Sequence, residues 1–249
     1  MRLERSLVIE IADTKTVNRM DMLIAEWERV VDRRVDFLRC YRMMTGNMLL
    51  AIEEGEFNDG PWVRQLLQNF ADYYFAALDD YEHNRPKTPI VWSTAHRTAV
   101  QPKTPVLQNL LLGINAHINY DLVLTLYDLL SPEWNALSSA GRRRRYEDHR
   151  HVNVVIGRTV DEVQDSVVEP EARLMDIVDK LLGPIDEWTA SLLIRNWREE
   201  VWHHTQQMLA AQNDTEREIV RQEVESTTLR RAKTIVQPVG LTILEEIFN

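Results

Sequence analysis

Four side chains that can carry protons or hold a ligand, Asn115, His117, Asn119 and Asp121, stand at every second position of LLGINAHINYDLVLTL, residues 111–126. Their neighbours are leucine, isoleucine and valine, which favour burial. On a helix, His117 and Asp121 are one turn apart on one side, with Gly113 a turn earlier, and Asn115 and Asn119 form a second stack. A buried imidazole or carboxylate without partners costs several kcal/mol. Each must therefore meet another helix, a water, a metal or a ligand. Glycine costs a helix about 1 kcal/mol relative to alanine, so Gly113 predicts a close approach by some other group.

Two chemistries fit the pair. An imidazole titrating near ~6.5 serves as general base, and a carboxylate one turn away orients it. Alternatively, His117 and Asp121 share a divalent cation such as zinc, which activates a water for hydrolysis. That cation needs ligands from elsewhere, and Asp148 and His149, in RRRRYEDHRHVN, complete a candidate set with His117 and Asp121. Glu200-x-x-His203 has the spacing of di-iron bundles and raises a non-haem iron oxidase as an alternative, although such sites need a second matching pair. A polar network that only locks helix packing is the non-catalytic alternative. Tyr41 and Thr45, four apart, place two hydroxyls on one face of another helix and are candidate substrate-binding groups beside Asn115 and Asn119.

The elements that must position these groups read as helices. Apolar residues recur at helical spacing over about 17–32, 34–54, 61–80, a short segment with Trp92 and His96, 105–130, 142–168 and 186–211. Strand-like alternation occurs only in LVIEI near the N-terminus. Leucines and isoleucines on all sides of 105–130 make it a central, surrounded helix. Residues 214–232 predict a charged, exposed helix, followed by an apolar segment that packs on it or on a partner, a homodimer being one arrangement. The expectation is one all-α domain over 1–249, a bundle of roughly eight to ten helices.

Net charge is -10, which argues against a nucleic-acid or anionic-membrane surface. The single cysteine, Cys40, rules out an internal disulfide and cysteine-based zinc sites. With no signal-like start and no long uncharged apolar run, the chain reads as cytoplasmic.

The GINAHIN-x-DL stretch, with YRMMT, FNDGPWV, FADYYFAAL and WSTA, resembles an uncharacterised bacterial family of all-helical proteins, from about Phe37 to Trp202. The resemblance implies that Asn115, His117, Asn119 and Asp121 form the central motif. It adds Tyr41, Thr45, Asp59, Asp148, Asn153 and Arg198 as supporting positions, so Asn153 and Arg198 join the substrate-binding candidates. It implies no activity. The expected function is an enzyme acting on a small molecule in a pocket along the central helix, with or without a divalent metal. The alternative is a non-catalytic ligand-binding or protein-interaction module.

Overall fold

Helix starts and stops follow local chemistry. At Asp59 the carboxylate accepts from the Trp62 backbone N–H at 3.1 Å, and Pro61 occupies the first turn of the helix that follows. The computed structural model describes residues 2–163 and 187–236, with side-chain surroundings over 13–160 and 191–236. Helices α1 (Arg2–Val30), α2 (Val35–Glu53), α3 (Gly60–Glu82) and α4 (Ile90–Ala99) precede α5 (Val106–Ala116). A π turn, His117–Asp121, joins α5 to α6 (Leu122–Leu130), and α7 (Ser139–Val163), α8 (Glu187–Ala210) and α9 (Asp214–Val236) follow. Because α5, the π turn and α6 run on as one rod, the described residues form eight helical rods and no strand. The all-α expectation is met.

Three local expectations change. LVIEI lies inside α1: Leu3, Leu7 and Ile11 also recur every four residues, and that period prevails over the short alternation. Helix α7 begins at Ser139 rather than 142, with the Ser138 hydroxyl accepting from the Gly141 N–H at 3.2 Å. Helix α9 is not simply exposed, since Val224, Thr228, Ala232 and Ile235 form a thin buried stripe along it. The expected cap at Asp186 and the apolar segment after 236 lie outside the described residues.

The rod 106–130 positions the site. Its α5 part packs on α2, α4 and α9, the π turn on α3, α8 and α9, and α6 on α3 and α8. Leu112, Leu122, Leu126 and Leu130 are at most 2% exposed, each burial contributing about 2 kcal/mol. At Gly113 the close neighbour is Phe37 of α2. A Cβ built there would lie 2.4 Å from two of the Phe37 ring carbons. The rod is apolar but interrupted by polar groups, and no helix among the described residues is long and apolar enough to cross a membrane.

Candidate functional site

The π turn sets the backbone of the site. The Leu122 N–H reaches back five residues to the His117 carbonyl, closing one wide turn between two α-helical stretches. Such single π turns in α-helices occur frequently at functional sites. The Thr125 hydroxyl donates to the Asp121 carbonyl at 2.8 Å, supplying a partner within the widened stretch.

His117 and Asp121 are 3% and 1% exposed. His117 Nδ1 lies 2.9 Å from Asp121 Oδ2, and the Trp92 indole N–H donates to that same oxygen at 2.9 Å. Phe70 lies flat on the imidazole, with ring centroids 3.5 Å apart and planes 6° from parallel. Tyr41 meets it edge-on at 4.4 Å. Phe37, Tyr74 and Trp92 complete an aromatic box with centroids within 6.0 Å.

Burial pushes the His117 imidazole well below its usual range. It pushes the Asp121 carboxyl well above its own, against the opposing pull of the Trp92 hydrogen bond. Both shifts have one cause: the box disfavours charge. The box thus favours the form in which neither group is charged. Asp121 Oδ2 then carries a proton directed at Nδ1, and Nε2 bears a hydrogen. If the pair loses one proton, Asp121 becomes a carboxylate accepting from Nδ1–H, and Nε2 exposes a lone pair. In either state the exchangeable end of the unit is Nε2.

Among the described residues that end has no hydrogen-bond partner, and neither do the Tyr41 and Tyr74 hydroxyls nor Asn119 Oδ1. The two tyrosine rings touch each other, with centroids 5.7 Å apart, as well as the imidazole. Burial raises both phenols above their ordinary range, so they stay protonated and able to donate. Leaving a buried polar atom unpaired costs about 1–3 kcal/mol. Three such atoms lie on three mutually touching rings.

The other candidates divide. Asn119 Nδ2 donates to Asn115 Oδ1 at 2.9 Å, and Asn115 Nδ2 donates to the Thr228 carbonyl of α9 at 3.0 Å. These two residues thus bind the rod to α9, and the Asn119 carbonyl alone stays open. The Thr45 hydroxyl is used within its own helix, donating to the Tyr41 carbonyl at 2.8 Å. Tyr41 joins His117, and the Thr45 side chain lies beside the Tyr41 phenol as well as on its backbone.

Asp148 and His149 do not complete a metal set with His117 and Asp121. Asp148, fully buried, accepts from the Asn58 N–H at 2.7 Å, the Asn58 amide at 3.0 Å and the Asp59 N–H at 2.9 Å. His149 Nε2 lies 2.9 Å from the Arg198 carbonyl, and Arg198 donates to the His149 carbonyl at 2.6 Å and to Asn153 Oδ1 at 2.8 Å. Asn153 and Arg198 therefore bind each other and His149, apart from the aromatic box. Among the described residues, no three His, Cys, Asp or Glu side chains are grouped to hold a metal ion. The Glu200/His203 arrangement is also corrected: Glu200 pairs with Arg231 and His204, and His203 is exposed.

Sequence reading missed Trp92, Phe70 and Phe37 as partners of the central residues. Gly113 signalled a close neighbour without naming it. Trp92 and Asp121 are 29 positions apart, and no local pattern carries a trace of their bond.

Fold and site together define an all-helical protein with a buried His–Asp pair in an aromatic box. The chain belongs to a family of unknown function, DUF5995, whose model matches residues 14–238. This agrees with the resemblance to an uncharacterised all-helical family. No curated protein and no solved structure matches the chain.

Proposed function

We propose that the protein is an enzyme acting on a small, uncharged polar molecule by acid–base chemistry at His117 Nε2. One observation carries the reading. Nδ1 is held by Asp121 while Nε2, on a ring that touches those of Tyr41 and Tyr74, has no partner among the described residues. Asp121 stores the proton, Nε2 delivers or receives it, and the two phenols donate to substrate oxygens. Trp92 keeps Asp121 oriented. A metal-dependent hydrolase is the less supported form, because the donor set proposed for the ion does not assemble.

A non-catalytic reading has its own support. The Phe70 ring covers the imidazole face at 3.5 Å, and the asparagine chain ties α9 to the rod. Incubation of the wild type and His117→Gln with a fractionated small-metabolite extract, followed by mass spectrometry, separates the two. The enzyme reading expects compounds consumed by the wild type and spared by a folded His117→Gln. Identical profiles, together with a large loss of stability in the variant, would leave only the packing role.

A further inference from the structure

Between α7 and α8 runs a groove of about 510 Å³, whose walls include Glu147, Arg150 and Asn153 on one side and Ser191 and Arg195 on the other. On α7, positions 147, 150 and 154 form one face. On α8, positions 191 and 195 form the facing stripe, and the next turn of that stripe brings Arg198 beneath the wall.

Arg198 is the unusual member. It is 4% exposed, yet its guanidinium meets only neutral acceptors: Asn153 Oδ1 at 2.8 Å, the His149 carbonyl at 2.6 Å and His149 Nδ1 at 3.3 Å. Among the described residues, no carboxylate lies within ion-pairing distance of it. A buried cation with no direct ion pair is costly, Glu199 acts on it only from a distance, and its field reaches the groove through Asn153, which it touches. Because Asn153 Oδ1 accepts from Arg198, the Nδ2 hydrogens are left as donors at the groove wall. Arg195 is exposed and has no ion pair among the described residues, while Arg150 is only loosely paired, 3.5 Å from Glu199. The described lining sets Arg150 and Arg195 against Glu147, with Arg198 behind the wall and Glu199 beside Arg150. His151 is engaged by Glu56 at 2.9 Å.

We propose that this groove binds a small molecule bearing a carboxylate or phosphate group. Arg195 and Arg150 grip the anionic oxygens, Asn153 Nδ2 and the Ser191 hydroxyl donate to them, and Arg198 supplies the buried positive charge behind. Guanidinium groups suit both anions because their donors match paired oxygens. The site is independent of the aromatic box, so its failure leaves the acid–base reading untouched.

Inorganic phosphate and succinate are the probes, titrated separately by calorimetry and followed by thermal shift at fixed ionic strength. Saturable binding of either probe is expected, and the one that binds names the anion class. Arg195→Ala should weaken that binding by about tenfold or more. Arg97→Ala, an exposed arginine on α4, which does not line the groove, should leave it unchanged. Arg198→Lys keeps the charge but loses the hold on Asn153, and should weaken binding as well. Absence of binding by both probes overturns the proposal, as does equal weakening by Arg195→Ala and Arg97→Ala.

Discussion

Replacing Gly113 with alanine tests the packing that creates the aromatic box. The new Cβ would lie 2.4 Å from Phe37 Cγ and Cδ2 and 2.8 Å from Phe37 Cβ. Carbon atoms rest at about 3.5–4.0 Å, so Phe37 must retreat by roughly 1 Å. A rotation of the ring is not enough, because the Phe37 Cβ itself is too near and α2 must shift with it. Nor is there slack behind the ring, which contacts Tyr41, Tyr74, Trp92 and His117 at 5.5–5.9 Å between centroids. Overpacking costs about 1–3 kcal/mol, and the upper end applies here; alanine returns about 1 kcal/mol of helix propensity. The net expectation is a loss of about 2 kcal/mol. Phe37→Ala alone should cost about 3–5 kcal/mol. In that background the gap accepts the methyl, and Gly113→Ala should become stabilising by up to ~1 kcal/mol. Urea unfolding followed by circular dichroism measures all four proteins. If Gly113→Ala is as stable as the wild type, or costs the same in both backgrounds, the close-approach argument is wrong.

Three further outcomes are expected. Burial pushes His96 down to about 3, and its Nε2 has no partner among the described residues. The unfolded chain takes up that proton near pH ~6.5 and the folded one does not. The stability is therefore present above pH ~6.5 and is lost as pH falls, by about 1.4 kcal/mol per unit; His96→Phe should flatten the slope of a pH-dependent unfolding series, and an unchanged slope would contradict this. Val31 holds φ 57° at the end of α1 and is 82% exposed, a strained backbone for a β-branched residue. Val31→Gly should raise stability by about 0.5–1 kcal/mol, and a lower melting temperature would refute the strain. Asp148→Ala removes the acceptor from two backbone N–H groups and an amide, for a loss of about 3–5 kcal/mol. Asp148→Asn, which keeps one oxygen, should lose about half of that in the same denaturation assay, and equal losses would show that the carboxylate oxygens do not share the load.

The repeat of apolar residues, the capping by Asp59 and Pro61, and the interrupted greasy stretch 111–126 determined by themselves that the chain is helical and that polar groups enter its core. Local geometry also paired His117 with Asp121 and Asn115 with Asn119, because residues four apart on a helix meet whatever surrounds them. Gly113 announced a contact for the same reason. Only the tertiary structure decided who the partners are: Trp92 for Asp121, Phe70 for the imidazole face, and Thr228, 113 positions distant, for Asn115. It also separated Asp148, His149, Asn153 and Arg198 from the His117 box, although all had the right chemistry to join it. Such choices depend on the angle and rotation with which helices cross, and those arise from the packing of whole surfaces rather than from any stretch a helical repeat can mark.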